Sequence, residues 1–506
     1  MMDTVKQNSI SSTDLETASS ELWEILEPHI QYLIQPDRDL VYLAFTQMVL
    51  AHGEMRRKSG EFYIIHPIAA TLKLTELKLD AATIAACLMH DVPEDTHVSL
   101  REIQKEFGPE IAFLIEGVTK FSNLKYKGEK RYAENLRKMF VAMSRDIRII
   151  FIKFADRIHN LQTLEHVRPD KQYRIALESI EIYAPIAERL GMSKFRGIIE
   201  DLAFPYVHPE EYKALVVQSN VEITRRQAVT DRLVQITEEL LKDAKIAYTD
   251  VGGRPKRYYS LYKKIQAKGS LETIYDLVAL RIITYTVDEC YQILSLLHQH
   301  FKPQYDRVKD YISRPKENGY QSIHTTVKYE KTGDIFEFQI RTVAMHEFAE
   351  YGIAAHMSYK DGVVDFDPMQ YKWISELVQL SKKRLFVRDV DYVQRVKINL
   401  YNDRIFVMTP KGDVIDMRDG ATALDFAFKV HEHVGRTASM AIINGTPVKL
   451  DARLQNADTI EIITNKNQRP TLDWLTKVFT ANAGSKIRRS LNADTIATQS
   501  SRRVDK

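Results

Sequence analysis

Cysteine is nearly absent. Cys87 and Cys290 are the only two in 506 residues, which excludes a disulfide framework and fits a reducing compartment. No apolar run approaches the ~20 residues needed to cross a bilayer. The polar start, MMDTVKQNSISSTD, has no basic segment followed by an apolar stretch, so a cytoplasmic protein with no membrane partner is expected. A dominant charge is also missing: 71 Lys+Arg against 68 Asp+Glu leave a formal +3. Any attraction for nucleotides must therefore come from local basic patches. There is no internal repeat and no low-complexity tract. What remains is an ordinary globular composition, 44% hydrophobic and 27% charged, in a chain long enough for about three to four domains.

Composition changes along the chain. Residues 22 to 217 read as helical, with apolar residues at three and four spacing in AATIAACLMHDV and RDIRIIFIKFADRIHNLQTL. From 234 to 360 the segments LVALRIITYT and IFEFQIRT read as strands interleaved with helices such as CYQILSLLHQHF, an α+β pattern. A small strand, turn, strand, helix, strand module follows, with turns at Lys411-Gly412 and Asn444-Gly445. The expected divisions are an all-α domain over 22–200, an α+β domain over 201–385, a small α+β domain over 395–466 and a tail over 467–506, polar and frayed from about 491.

CLMHDVPEDT places His90, Asp91, Glu94 and Asp95 within six residues, directly behind an apolar run. Burying unpaired charge there is costly, and metal ligation answers that cost. His90 and Asp91 at one helix end need ligands from other segments. YIIHPIAA offers His66, and Asp156 ends the apolar run of IIFIKFADRIHNL. Each residue alone also fits a cap or a surface ion pair, but three separated apolar segments each ending in a ligand-type residue favour one shared site. Mixed imidazole and carboxylate suits Mn, Fe or Zn in an open site better than structural zinc.

A second pattern lies in IFEFQIRT. Strict alternation predicts Phe336, Phe338 and Ile340 on a packed face and Glu337, Gln339 and Arg341 on an exposed one. A carboxylate and an arginine there suit magnesium and phosphate, with Asp276 as a second carboxylate from a neighbouring strand; a cross-strand ion pair is the alternative. RPKRYYSLYKK carries Arg254, Lys256, Arg257, Lys263 and Lys264 among tyrosines, a composition able to cradle a triphosphate. KENGYQSIHTT sets Tyr320 after an Asn-Gly turn, where an exposed ring can stack on a base.

HGEMRRKSGEFYIIHP, CLMHDVPEDT, FGPEIAFLIEGVTK and FADRIHNLQTL resemble the HD-type hydrolase domain of the Rel/SpoT family, enzymes that make and destroy the alarmone (p)ppGpp. GGRPKRYYSLYKKIQ, IYDLVALRII, RVKDYISRPKENGYQSIHTTV and FEFQIRTVAMHEFAEYGIAAHMSYK resemble its nucleotidyltransferase-like synthetase domain. TPKGDVIDMRDGATALDFAFKVHEHVG is similar to its β-grasp-like TGS domain. The resemblance implies that His66, His90, Asp91 and Asp156 hold manganese, and that Glu94 and Asp95 position or deprotonate the attacking water. It assigns Arg57, Lys58, Ser59, Asn160 and Thr163 to the alarmone. In the synthetase it implies magnesium on Asp276 and Glu337, with Glu337 also the base for the ribose 3′-hydroxyl. Arg254, Lys256 and Ser260 would hold ATP, and Tyr320 would stack on the guanine of GDP or GTP, helped by Asn318 and His324. Lys309 sits in RVKD, the basic form carried by bifunctional relatives, and is a further substrate contact. A bifunctional enzyme is expected, or a hydrolase with a weak or silent synthetase. A conformational switch is expected around 194–244. Relatives run on past the TGS module, so the chain is either truncated or naturally short. Through that module, His431 included, the ribosome, tRNA or acyl carrier protein are the candidate partners.

Overall fold

The structure, a computed structural model, describes residues 14–119, 139–268, 277–316, 318–357, 404–455, 457–480, 483–484 and 486–491. Asp276, residues 358–385 of the expected α+β domain and residues 492–506 of the expected tail lie outside the described residues. The chain forms two compact units, one up to Val393 and one from Gln394.

The first unit opens with helices α1 (Leu15–Leu26), α2 (Gln35–His52), α3 (Ile65–Thr75), α4 (Ala81–Met89), α5 (Val92–Asp95), α6 (Leu100–Thr119) and α7 (Arg148–Gln162). Asp80 starts α4 by accepting from the Thr83 backbone N–H at 2.9 Å, a standard N-cap. α4 ends at Met89, with His90 as its C-cap and Asp91 as the N-cap of α5. Pro93 sits in the first turn of α5, where its missing N–H costs nothing. α7 is deeply placed: Ile150, Phe151, Ile152, Phe154 and Ile158 have no exposed surface. Each contributes roughly 1.5–3 kcal/mol on burial, enough in sum to draw Lys153 and Asp156 inward with them. Helices α8 (Pro169–Glu178), α9 (Ala184–Arg189), α10 (Ser193–Val207) and the 35-residue α11 (Pro209–Asp243) complete the helical half.

The α+β half carries β1 (Asp250–Pro255), α12 (Tyr258–Lys268), β2 (Val278–Thr284), α13 (Val287–His300), β3 (Lys302–Pro303), β4 (Lys309–Asp310), β5 (Ile323–Lys328), β6 (Ile335–Thr342), α14 (Val343–Tyr351) and α15 (Ile353–Met357). The sheet order is β1-β2-β6-β5-β3, with β4 also on β5. β2 and β6 pair in parallel with Ala279 opposite Glu337, and the remaining pairs are antiparallel, so the sheet is mixed. One face packs on α13 through Phe336, Phe338, Ile340, Cys290, Ile293 and Leu297. The expected exposed position of Arg341 is corrected: its side chain is 1% exposed, because the chain turns at Thr342 into α14 and brings Glu350 back against it.

The second unit holds a two-stranded sheet of β7 (Arg404–Met408) and β8 (Val414–Arg418), helices α16 (Ala423–Val430) and α17 (Glu432–Thr437), a three-stranded sheet of β9 (Ala438–Ile443), β10 (Thr446–Val448) and β11 (Ile460–Thr464), and α18 (Trp474–Lys477). Its own core centres on Phe426, Phe428, Ala441, Ile460 and Trp474. The expected fold class, a helical domain, a mixed α+β domain and a small α+β domain, stands.

Candidate functional site

Three helices converge on one buried point. His66 projects from the first turn of α3, where Pro67 opens the helix, His90 from the end of α4 and Asp156 from the middle of α7. Their ligand atoms all lie within 4.8 Å of one another and all three residues are buried. Asp91 stands against both imidazoles, with Oδ2 3.3 Å from His66 Nε2 and Oδ1 3.2 Å from His90 Nε2. Asp156 Oδ1 lies 3.4 Å from His66 Nε2 and 3.9 Å from His90 Nε2. His90 Nδ1 reaches the Cys87 carbonyl at 2.7 Å, so it carries the ring hydrogen and leaves Nε2 bare. That Nε2 is buried with no hydrogen-bond partner. An orphaned imidazole nitrogen facing carboxylates needs a cation, so the donor set fits a divalent metal.

Neighbours orient these ligands. Lys153 Nζ binds Asp156 Oδ2 at 2.8 Å and Asn160 donates to Oδ1. Burial opposes the charge of Asp156, but Lys153 and the two imidazoles outweigh it and hold the carboxyl well below its usual range. Tyr63, one turn before His66, donates to Asp91 Oδ2 at 3.0 Å and to Asp95. Thus Asp95 is linked to a candidate ligand through a phenol, and Glu94 lies half-buried beside it on α5.

A polar rim lies beside this point. Arg57 reaches Thr163 Oγ1 at 3.2 Å, Asn160 Oδ1 at 3.0 Å and His159 Nδ1 at 3.3 Å. Ser59 Oγ is buried without a partner, and Lys58 is exposed. The expected set Arg57, Asn160 and Thr163 is therefore brought together. Burial, then His66 and Arg57, keeps His159 well below the usual histidine range. His159, Tyr63 and Lys153 were absent from the sequence reading, although Lys153 and His159 fall three positions either side of Asp156, a spacing that shares a helical face; Tyr63 lies in the turn before α3.

The second candidate site lies at β5, β6 and α14. Glu337 Oε1 is 3.2 Å from His324 Nδ1 and accepts from Gln339 Nε2 at 3.0 Å. His324 Nε2 meets the Tyr320 hydroxyl at 2.9 Å. Gly319 takes φ 78° in the preceding turn, as an Asn-Gly turn requires. Tyr320 is half-buried rather than exposed, with its ring 6.1 Å from Tyr311 and Lys316 Nζ 4.9 Å from its centroid. Asn318 Oδ1 caps the turn by accepting from Tyr320 N at 3.2 Å. Lys309 is exposed on β4, opposite His324. Arg254 binds Glu350 at 2.7 Å, and Arg341 lies 3.8 Å from the same oxygen. Arg341 Nε and a terminal nitrogen make no hydrogen bond among the described residues. His346 is pulled down to about 4 by burial, with Arg341 and Arg281 adding to it. Cations outnumber carboxylates here, which suits phosphate.

Two of the five cations of RPKRYYSLYKK turn elsewhere. Arg257 pairs with Asp201 at 3.3 Å and Lys263 with Glu200 at 2.9 Å, both carboxylates on α10. Tyr259 and Tyr262 pack on Phe204, with centroids 5.3 and 5.0 Å away. Lys256 and Ser260 are half-buried. In the second unit His431 is exposed and its Nδ1 accepts from His433 N at 3.1 Å, capping α17.

Comparison with known proteins follows the same division. Residues 43–193 match the HD domain, 253–364 the region found in RelA/SpoT proteins and 405–464 the TGS domain. The chain is 42% identical over 470 residues to the GTP pyrophosphokinase of Myxococcus xanthus, covering 90% of this chain and 61% of that one. It is 44% identical over 446 residues to the guanosine-3′,5′-bis(diphosphate) 3′-pyrophosphohydrolase of Aquifex aeolicus, covering 87% and 63%. It is 39% identical over 478 residues to the bifunctional (p)ppGpp synthase/hydrolase SpoT of Escherichia coli, covering 93% and 67%. The chain thus spans about three fifths of the length of the first two relatives.

Proposed function

Since the chain belongs to the RelA/SpoT family, we propose that it is a bifunctional alarmone enzyme. It hydrolyses the 3′-pyrophosphate of (p)ppGpp to GDP or GTP and pyrophosphate, and it transfers a pyrophosphoryl group from ATP to the 3′-hydroxyl of GDP or GTP, with AMP as the leaving group. The observation that carries this reading is the coexistence, in one compact unit, of the converging His66, His90, Asp91 and Asp156 with the Glu337 and Arg254 pocket.

For hydrolysis, His66, His90, Asp91 and Asp156 would hold manganese, which when bound supplies positive charge to the phosphate oxygens. Arg57, Lys58 and Ser59 bind and orient the nucleotide, with Asn160 and Thr163 shaping the pocket. Glu94 and Asp95 position the attacking water and take its proton. For synthesis, Glu337 accepts the proton of the ribose 3′-hydroxyl, while Arg254, Lys256 and Ser260 hold ATP and Lys309 makes a further substrate contact. Tyr320, with Asn318 and His324, holds the guanine. Asp276 and Glu337 would bind magnesium, and positioning with charge neutralisation dominates such an in-line transfer. The second unit is assigned a contact role toward the ribosome, tRNA or acyl carrier protein, all within the cytoplasm.

One observation favours a hydrolase with a weak synthetase: Arg254 is already held by Glu350 at 2.7 Å, and that bond must loosen for Arg254 to serve ATP. Two substitutions test the assignment. Asp156→Ala should abolish hydrolysis and spare synthesis, and Glu337→Gln should do the reverse, read as GDP release from ppGpp and as ppGpp formation from ATP and GDP. Retention of hydrolysis in the first or of synthesis in the second sinks the corresponding half.

A further inference from the structure

An imidazole that binds a metal through Nε2 must carry its hydrogen on Nδ1. For His90 the Cys87 carbonyl enforces this. For His66 the enforcing group is less obvious, because its Nδ1 faces another imidazole nitrogen, His159 Nδ1, at 2.7 Å. One of the two must donate. A guanidinium has hydrogens and no lone pair to offer, so every atom it bonds must accept. Arg57 lies 3.3 Å from His159 Nδ1, which makes that nitrogen the acceptor and His66 Nδ1 the donor. In the neutral ring His66 Nε2 is then bare, and it faces Asp91 Oδ2 and Asp156 Oδ1 at 3.3 and 3.4 Å. Acceptor against two acceptors is the arrangement a cation completes.

We propose that His159 is a positioning residue that holds His66 in its metal-binding tautomer, and that Arg57, by fixing His159 as an acceptor, joins the nucleotide rim to the metal ligands. The inference rests on the reading of His66, His90, Asp91 and Asp156 as ligands. His159 itself touches neither metal nor substrate in this account. The chain of contacts runs from Arg57 through His159 to His66, across parts of α7 and α3 that packing holds rigidly, since His66 is 2% and His159 7% exposed. Partners of ligating histidines typically alter metal affinity about 10- to 100-fold when removed.

The test is manganese binding by the metal-free full chain, followed by electron paramagnetic resonance of free Mn²⁺, with melting temperature measured alongside. His159→Phe keeps a ring and removes the acceptor; His159→Asn puts an accepting oxygen near the place of Nδ1. The expected result is an affinity about 10- to 100-fold weaker in the phenylalanine variant and restored to within about threefold of wild type by asparagine. A role in packing alone would lower the melting temperature and leave the affinity of folded protein unmoved, which overturns the proposal. So does an asparagine variant as weak as the phenylalanine one. If wild type binds no manganese, the ligand reading falls, and the proposal with it. Should the phenylalanine variant not fold, ¹⁵N shifts of the His66 ring in metal-free wild type at pH 9 decide: the Nδ1–H tautomer is expected, and the Nε2–H tautomer overturns the proposal.

Discussion

Lys153 determines which oxygen Asp156 can offer. Its ammonium holds Oδ2 at 2.8 Å and both groups are buried, so Oδ1 is the atom left toward the imidazoles. Removing one partner of a buried pair leaves a bare charge and costs about 3–5 kcal/mol. Lys153→Met should therefore lower the unfolding free energy of the metal-free chain by that order, measured in urea; a loss under about 1 kcal/mol contradicts this account of the pair. His346 gives a pH test. It titrates near 6.5 when unfolded and at about 4 in the fold, through burial and then Arg341 and Arg281. Between those values the unfolded chain binds the extra proton. Its stability contribution is full above pH about 6.5 and falls as pH drops toward 4. His346→Gln should flatten that part of the urea-midpoint curve, and an unchanged slope contradicts the assignment. At this scale the sequence was legible where chemistry ended an apolar run, as at His90 and Asp156. It misled at Arg341, because alternation shows which residues share a face and not whether α14 will cover that face.

Between elements, one of the contacts that join the two halves of the first unit is made by backbone. Gly352 takes φ +58°, and a Cβ there would meet the Leu190 carbonyl oxygen at 2.0 Å and Gly191 C at 2.6 Å. Ile353 N donates to that same carbonyl at 3.0 Å. Nearby, Lys194 bridges Glu76, just past the end of α3, at 2.8 Å and the Tyr351 hydroxyl at 3.1 Å. The helix that carries His66 is thus tied to the one that carries Glu350. Gly352→Ala combines a strained φ with a backbone clash and should cost about 3 kcal/mol or more in urea unfolding; a change under about 1 kcal/mol would show that the contact adapts. Helical spacing located α4 and α7 well, since their apolar residues recur at three and four spacing. The break between α4 and α5 was less visible, because Pro93 is tolerated inside a first turn as readily as after a helix end. Nothing in LGMSKF or EYGIAA announced that these two segments meet.

Across the molecule, two sites suited to opposed reactions share one compact unit, and running both together would consume ATP to no purpose. A two-state arrangement that favours one site at a time would resolve this; the Lys194 bridge and the Leu190–Ile353 contact lie between the halves that carry the two sites. The TGS-like module folds around its own core. The three-part division was legible because the period of the apolar pattern changes twice along the chain. The joining contacts were not, because backbone approach at a glycine leaves no hydrophobic signature. His66, His90, Asp91 and Asp156 would form a working metal-dependent hydrolase. The most direct test is incubation of the purified chain with ppGpp and manganese, with and without a chelator, following GDP and pyrophosphate. Release that the chelator stops is the predicted result; no release, or release indifferent to the chelator, contradicts it.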